Sequence, residues 1–373
     1  MAGIYVHVPF CRRACHYCDF HFTTNLKNSD LLVDAILKEI ELRKSYVQGE
    51  KIETIYFGGG TPSLLATTEI ERILNRIYGT QSVADEIELT LEANPEDLSK
   101  EKLFELKQIG VNRLSLGTQS FIDSELEWMN RMHTAEQAIA SIRNAQDIGF
   151  DNISIDLIFG LPEQTEQDWE LNLKTAIGLD IQHVSSYSLT VEPKTVLHNR
   201  IEKGQREKPN ELSSARFFEM NMEFLPANDF EHYEISNFAK EGFISKHNSS
   251  YWLGKKYLGL GPSAHSFNRV AREWNVRSNG AYMQKIASGK PFSESEKLSI
   301  KDRINEYIMT SIRTRNGVKK DLLETIKPGS WNQFTLQLDK VDQHLVQLDN
   351  EKLLLTNNGK LLSDLITSNL FFD

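Results

Sequence analysis

Three cysteines within eight consecutive residues constrain this chain more than any other feature. Cys11, Cys15 and Cys18 are spaced as C-x3-C-x2-C, and the 373-residue sequence contains no other cysteine. Thiolates this close together in one loop can converge on a single iron–sulfur cluster. Because a four-iron cluster usually takes four cysteines, three would leave one iron open to a ligand from outside the protein.

An open iron of this kind is what radical S-adenosylmethionine chemistry requires. The iron binds the amino and carboxylate groups of S-adenosylmethionine, and an electron from the cluster cleaves the sulfonium, while the protein supplies binding and orientation. Two alternatives have less support. A disulfide would leave one thiol unpaired and would suit an oxidising compartment. A zinc site would need a fourth ligand, which His7, His16 or His21 could supply.

Length and composition describe a globular chain of more than one domain. The 373 residues exceed one typical domain, and the hydrophobic (40%) and charged (25%) fractions are ordinary. A net charge of −10 argues against a nucleic-acid partner, which would favour a basic surface. No apolar run reaches the ~20 residues that cross a bilayer. The first residues lack the features of a signal peptide, so we expect a cytoplasmic protein.

The first 230 residues alternate between strand-like and helix-like segments. Strands are predicted at residues 4–8, 54–57, 86–91, 113–116, 152–158 and 183–189, and helices at 30–46, 68–78, 99–108, 134–148, 166–179 and 211–228. Repeated strand–helix units imply parallel strands joined by right-handed crossovers. We therefore predict an α/β fold with a partial (β/α)6, TIM-like barrel, whose active site lies at the carboxyl ends of the strands.

Beyond residue 230 the alternation ends. Residues 247–265 are rich in aromatic, glycine and small polar residues without a clear period, so we predict an ordered functional loop. Later segments predict helices at 300–313, 331–348 and 360–367, a strand at 352–356 and a turn at 357–359. We expect three parts: a barrel at 1–230, a ligand-side loop region at 231–290, and a small helical, winged-helix-like domain at 291–373.

Polar and glycine residues follow the predicted strands. Three glycines at residues 58–62 (GGGTP) would let the backbone approach a ligand closely, although a tight turn is the alternative. Glu92 and Gln119 end the third and fourth strands, and Asp156 lies in an apolar run where an unpaired charge is costly. Arg131 could bind a carboxylate through two parallel hydrogen bonds. Because parallel strands end at one edge, these residues predict one site, with structural partners as the alternative for each.

A second stretch, HNSSYW at residues 247–252, has different chemistry. A histidine flanked by aromatic residues could ligate a haem iron, with the aromatic faces covering the macrocycle. By residue type alone, a histidine that caps a turn is the stronger interpretation. The glycine-containing segment 259–265 could line the same cavity.

Together these residues resemble the HemN/HemW family of radical S-adenosylmethionine proteins. The resemblance rests on the segments YVHVPFC (5–11), GGGTP (58–62), GTQS (117–120), DLIFGLP (156–162) and GLGPSAH (259–265), and it covers nearly the whole chain. It implies a [4Fe-4S] cluster held by Cys11, Cys15 and Cys18. It also implies that S-adenosylmethionine contacts Tyr5, Tyr17, Gly59, Gly60, Thr61, Glu92, Gln119, Arg131 and Asp156.

The family contains an oxygen-independent coproporphyrinogen III oxidase and a haem chaperone. The oxidase has a further cysteine where this chain has Phe20, and it has an N-terminal extension, whereas Cys11 here is already the first cysteine. The H-N-x-x-Y-W stretch is associated with haem binding in the chaperone, which makes His247 the preferred haem ligand. The resemblance therefore predicts a haem chaperone.

Such a chaperone would pass haem to apo-haemoproteins. It would need an electron donor for its cluster, and a homodimer is compatible with the resemblance. Two alternatives stay open. One is the oxidase, which the missing fourth cysteine disfavours, and the other is a radical enzyme that acts on an unrelated small substrate.

Overall fold

A computed structural model describes residues 1–372 of the chain. Its first part consists of strands separated by helices. The strands are β1 (Ala2–Val8), β2 (Ile52–Gly59), β3 (Val83–Ala93), β4 (Arg113–Gln119), β5 (Ile153–Phe159) and β6 (His183–Ser188). The helices are α1 (Ser29–Leu42), α2 (Thr67–Thr80), α3 (Lys100–Gln108), α4 (Asp123–Met129), α5 (Ala135–Asp147), α6 (Glu166–Gly178), α7 (Val196–Glu202) and α8 (Glu211–Phe224).

The predicted run of parallel strands is confirmed. Strands β1 to β6 pair with one another in sequence order, and every pair is parallel. Most residues of β1 and β5 are buried on both faces of the sheet, as expected when helices cover one face and the barrel interior fills the other. The short helices α4 and α7 were not predicted, because seven residues hold too little of the helical period to be recognised.

Local signals set the ends of the longer helices. Thr134 begins α5 through a reciprocal pair of hydrogen bonds with Gln137, and Thr165 does the same with Asp168 at α6. Gly149 follows α5 with a φ of 92°, a conformation that stops a helix and favours glycine. The apolar residues of α2 recur at helical spacing and pack on the sheet.

The region after residue 230 continues the sheet. It contains β7 (Glu231–Glu234), β8 (Asn237–Ala239), α9 (Lys246–Trp252), β9 (Lys256–Leu260), β10 (His265–Phe267), β11 (Ala271–Asn275), α10 (Asn279–Ser288) and β12 (Ser293–Lys297). The prediction of an ordered functional loop at 247–265 was therefore wrong about the secondary structure. Helix α9 and strand β9 occupy most of it, and β9 pairs in parallel with β1, whose partner residues lie about 250 positions earlier. Because its pairing partner is so far away in the sequence, β9 carries no local pattern that identifies it as a strand.

The large sheet has the order β12-β11-β10-β9-β1-β2-β3-β4-β5-β6-β8-β7. Because β6 pairs with β8 and β1 pairs with β9, the two ends of the parallel run do not meet, and the barrel is partial, as predicted. Strand β12 extends this sheet to Lys297, beyond the predicted boundary at residue 290. The division into 1–230, 231–290 and 291–373 otherwise stays a prediction.

The last segment has its own small core. Its elements are α11 (Ile300–Ile312), β13 (Val318–Lys319), α12 (Lys320–Ile326), α13 (Ser330–Gln337), β14 (Val346–Asp349), β15 (Lys352–Leu355), α14 (Asn357–Leu361) and α15 (Ser363–Asn369). The three strands form an antiparallel sheet in the order β13-β15-β14, and Ile308, Phe334 and Leu353 are buried beside it. The helix predicted at 331–348 ends at Gln337, and the predicted turn at 357–359 instead begins α14. No helix within residues 1–372 is long and apolar enough to cross a membrane.

Candidate functional site

The carboxyl ends of the parallel strands open into a cavity of about 1520 Å³. The cysteine loop and the ends of β2 to β6 line one side of it. Arg313, His344 and Lys360 from the last segment line the other side. The barrel and the small C-terminal core therefore share this space, and it has room for more than one bound molecule.

The three thiols lie in the wall of this cavity. The Thr61 hydroxyl donates to Cys11 Sγ over 3.6 Å, and Arg131 Nη1 donates to Cys15 Sγ over 3.4 Å. Burial raises the pKa of the Cys11 thiol and raises that of Cys18 to about 12. The Cys11 and Cys18 thiols are therefore protonated without metal, and binding iron would release their protons.

The donor set fits a cluster better than a zinc ion. In the part of the chain that the structure describes, no three His, Cys, Asp or Glu side chains converge on one metal-ion position. His7 is bound to the Tyr5 hydroxyl and the His21 carbonyl, and His16 to the Trp128 carbonyl. In an iron–sulfur cluster each thiolate ligates a different iron, so the three sulfurs need not converge on one metal position. Buried Arg131 Nε, without a hydrogen-bond partner in residues 1–372, is consistent with a ligand beside the thiols.

The glycine turn after β2 holds the cysteine loop against the barrel. The Gly60 N–H donates to the Val8 carbonyl over 2.9 Å, and the Thr61 N–H donates to the Phe10 carbonyl over 2.7 Å. Gly59 has a φ of 111°, and a Cβ there would lie 2.4 Å from the His7 ring. Glycine is thus required for the turn itself. The backbone of the turn also faces the cavity.

Two carboxylates face the cavity from β3 and β5, the strands on either side of β4. Glu92 accepts hydrogen bonds from the Tyr56 hydroxyl (2.8 Å) and the Gly59 N–H (3.1 Å). Burial, with a smaller effect of the Asp156 charge, raises the pKa of Glu92 to about 7. Burial likewise raises the pKa of Asp156 to about 6. Paired carboxylates with raised pKa values at a strand edge are typical of a functional site that binds a cation or hydroxyl groups.

Arg131 lies in the cavity, where its guanidinium is held by protein groups, and its binding of a carboxylate stays a prediction. Its Nη2 donates to the Asn94 Oδ1 (2.6 Å) and the Gly117 carbonyl (2.7 Å), while Nη1 faces Cys15. The guanidinium therefore bridges the cysteine loop to β3 and β4. Asn94, which also donates to Thr61, was missed although it follows Glu92 at the same strand end.

The structure brings most of the predicted site residues together. All three cysteines line the cavity, as do Tyr17, Gly59, Gly60, Thr61, Glu92, Gln119, Arg131 and Asp156. Tyr5 does not, because its ring packs against Tyr56 in the barrel interior, with 6.1 Å between ring centroids. The contact of these residues with S-adenosylmethionine stays a prediction. His344 and Lys360 also line the cavity, and no sequence signal linked them to it.

His247 lies apart from this cavity, at the amino end of the barrel. Its side chain is 1% exposed. Its Nδ1 is bonded to the Thr54 hydroxyl and its Nε2 to the Tyr251 hydroxyl, both over 2.8 Å. Burial lowers the pKa of His247 to about 3. Because both ring nitrogens are engaged, a haem iron could reach His247 only after the Tyr251 or Thr54 bond opens.

The raised pKa of Glu92 leads to a first prediction, for the cluster-free chain. The folded chain keeps the proton of the Glu92 carboxyl group up to about pH 7, whereas the unfolded chain releases it near pH 4.5. Glu92 therefore lowers the free energy of unfolding as the pH rises from about 4.5 to about 7. The cost is on the order of 3 kcal/mol above pH 7. Glu92→Gln should therefore raise stability at pH 8 in urea denaturation and leave it little changed at pH 4.

The control for this prediction is Glu127→Gln, which changes an exposed residue of α4. It should leave the midpoint of urea denaturation unchanged at both pH 4 and pH 8. An equal gain at pH 4 and pH 8 in Glu92→Gln would contradict the role assigned to the Glu92 proton.

Comparison with known proteins agrees with this geometry. The model of the radical SAM superfamily matches residues 5–176. The heme chaperone HemW of Bacillus subtilis is 37% identical over 98% of this chain and 97% of its own length. HemW of Mycobacterium tuberculosis is 31% identical over 99% of this chain and 94% of its own length.

The fold has a solved counterpart. The structure of coproporphyrinogen III oxidase (HemN) from Escherichia coli, described as a radical SAM enzyme, superposes with a TM-score of 0.85 at 22% identity. The match covers 99% of this chain and 90% of that one. Identity this low establishes the shared fold, whereas the full-length similarity to HemW proteins establishes the family. The chain belongs to the HemW family within the radical SAM superfamily.

Proposed function

We propose that this protein binds haem and transfers it to apo-haemoproteins, on a scaffold that holds a [4Fe-4S] cluster and S-adenosylmethionine. The observation that carries the proposal is its full-length similarity, up to 37% identity, to proteins named heme chaperone HemW. Phe20, at the position of the oxidase's additional cysteine, supports it.

A cluster and S-adenosylmethionine are expected for the radical SAM superfamily. We propose that Cys11, Cys15 and Cys18 hold the cluster and that the other lining residues bind the cofactor. When bound, this pair supplies one-electron chemistry. Thr61 and Arg131 donate hydrogen bonds to the sulfurs, an interaction that tunes the potential of iron–sulfur clusters.

The proposal for haem ligation by His247 carries a structural condition. The Tyr251 hydroxyl covers its Nε2, so iron coordination through Nε2 requires Tyr251 to rotate away. Tyr251 belongs to the same HNSSYW stretch, and it lines a second, smaller cavity. The stretch can therefore contribute to a haem site through Tyr251 even while His247 stays buried.

A specific observation keeps the oxidase as a second candidate. The large cavity is bounded by Lys208, Arg313 and Lys360, cationic residues suited to the carboxylates of a tetrapyrrole. A coproporphyrinogen held there would lie in the same cavity as the cysteines.

The two functions are separated by one anaerobic experiment on reconstituted protein. Haem is titrated first, and the loaded protein is then mixed with apomyoglobin as a model acceptor. We expect about one haem to bind per chain. We also expect haem to pass from this protein to apomyoglobin faster than it passes to apomyoglobin from haem-loaded albumin. In parallel, coproporphyrinogen III is supplied with S-adenosylmethionine and dithionite. Sustained formation of protoporphyrinogen, without haem transfer, would favour the oxidase instead.

The physiological partners belong to the same proposal. They are the recipient apo-haemoproteins and an electron donor for the cluster, in a cytoplasmic setting that keeps the three thiols reduced. A homodimer is a further prediction, and sedimentation of the reconstituted protein tests it.

A further inference from the structure

A basic surface lies against the outer side of the cysteine loop. Four lysine or arginine residues occur in α7 and the turn after it, between residues 196 and 208, against two glutamates. Arg13 adds a positive charge from the cysteine loop itself, where residues 11–18 contain no acidic residue. The whole chain carries a net charge of −10, so a positive surface here departs from its overall composition.

Direct contacts hold α7 against the cysteine loop. The Leu197 N–H donates to the His16 carbonyl over 2.7 Å, and Arg200 Nη1 lies 3.4 Å from His16 Nδ1. His16 follows Cys15 directly in the sequence and is only partly buried. The guanidinium of Arg200 therefore contacts the residue next to a proposed cluster ligand.

A second arginine is fixed beside the same histidine. The guanidinium carbon of Arg206 lies 5.3 Å from the centre of the Trp128 ring, within the range of a cation–π contact. The Trp128 carbonyl accepts a hydrogen bond from His16 Nδ1 over 2.9 Å. Trp128 and Arg206 are both partly exposed, and arginine and aromatic residues are enriched where proteins bind one another.

The cations of this surface are available to a partner. Five of them have no carboxylate within 4 Å among residues 1–372, and we call them the basic patch: Arg13, Arg200, Lys203, Arg206 and Lys208. Glu202 and Glu207, the acidic residues of the same segment, therefore neutralise none of them by direct contact. Arg12 is different, because it is paired with Asp97 over 2.7 Å.

We infer that the basic patch is the docking surface for the electron donor of the cluster, and that this donor is a small acidic protein that carries single electrons. The inference deepens the proposed function and rests on its cluster. The reduced carrier gives up one electron and the cluster takes up that electron, with no bond formed or broken.

The position and the charge of the patch both support this assignment. Electron transfer slows steeply with distance, so the carrier must dock over the cysteine loop, and the basic patch is in contact with that loop at His16. Opposite charges on the two proteins speed their encounter and orient it. A patch of this size suits the small interfaces of transient electron-transfer complexes.

The first measurement is the affinity of the reconstituted protein for oxidised flavodoxin, a small acidic flavoprotein, by calorimetry at low ionic strength. The double variant Arg200→Glu/Arg206→Glu should bind at least about tenfold more weakly, because like charges then face each other. Added salt should weaken binding by the parent protein more than binding by the variant, since salt screens exposed charges. Circular dichroism checks that the variant is folded.

The second measurement is the rate of cluster reduction by reduced flavodoxin, followed anaerobically from the visible absorption of the cluster. At flavodoxin concentrations below saturation, the double variant should react at least about tenfold more slowly. Dithionite should reduce the clusters of both proteins to the same extent, which shows that the variant keeps an intact cluster. The control Lys44→Glu/Lys290→Glu makes the same change in net charge at exposed lysines beyond α1 and α10, and it should behave like the parent protein.

Three results would overturn the inference. The first is a double variant that binds and reacts like the parent protein, and the second is an equal loss in the control variant. The third is binding of the parent protein, but not of the double variant, to phosphatidylglycerol vesicles without any binding of flavodoxin, which would assign the patch to an anionic membrane surface. In each case haem binding and transfer would still support the proposed function. If the parent protein incorporated no iron, the proposed cluster and the inference would fail together.

Discussion

Cys15→Ser is expected to abolish the cluster. The sequence has no other thiol to replace Cys15, since all three cysteines are in one loop. Iron per chain after reconstitution should fall from roughly four to well below one, because two thiolates cannot hold a four-iron cluster stably. Binding of S-adenosylmethionine should fall with it. The half-buried side chain contributes little to the fold, so the stability of the cluster-free chain should change by less than about 1 kcal/mol.

Thr61→Val is the matched control for this change. It removes the hydrogen bond to Cys11 Sγ but keeps all three thiols. We expect it to retain roughly four irons per chain and to lower the reduction potential of the cluster, because hydrogen bonds to the sulfurs stabilise the reduced state. Full iron occupancy in Cys15→Ser would show that the cluster is not held as proposed.

Gly60→Ala is expected to be the most damaging single substitution for the fold around the site. A Cβ at this position would lie 2.6 Å from the Phe10 carbonyl oxygen, 2.8 Å from the Phe10 nitrogen and 2.9 Å from the Val8 oxygen. All three are backbone atoms, so no side-chain rotation relieves the contact. The free energy of unfolding should fall by about 3 kcal/mol or more, measured by urea denaturation. Cluster incorporation should fall as well, because Phe10 precedes Cys11.

Gly79→Ala separates this steric effect from the general effect of replacing glycine. Gly79 lies in α2 with no atom within 4 Å of an added Cβ. Alanine there should stabilise the helix by about 0.5–1 kcal/mol. Equal stability of the two variants would mean that the turn at Gly60 relaxes easily and does not anchor the cysteine loop.

Local patterns were sufficient for the first half of the fold. Each parallel strand from β1 to β6 is a short buried run with a helix after it, and a residue such as Gly149 ends the helix within the same segment. These local patterns failed for a strand whose pairing partner lies far away in the sequence. Strand β9 has five residues, and its assignment depends on β1. Strand β14, most of which lies in a segment predicted as helix, was also missed, although its partner β15 follows it directly.

The candidate site divides in the same way. Strand-end residues such as Glu92 and Asp156 could be predicted, because parallel strands place their carboxyl ends together. Arg131 was predicted to lie in the site, but its partners, Asn94 and Gly117, could not be foreseen. His265 was noted only as the last residue of the segment 259–265, which was predicted to line the same cavity as the HNSSYW stretch. Its free imidazole becomes apparent once β9 and β10 are placed beside β1.

By itself, the sequence determined the three-cysteine loop, the order of the barrel strands and the family. These depend on residues adjacent in the chain, where spacing fixes which side chains share a loop or a strand end. Only the tertiary structure showed that His247 is enclosed by Thr54 and Tyr251 while His265 faces a second cavity. Thr54 lies 193 residues from His247 in the chain, and no local pattern encodes which of two histidines is left free.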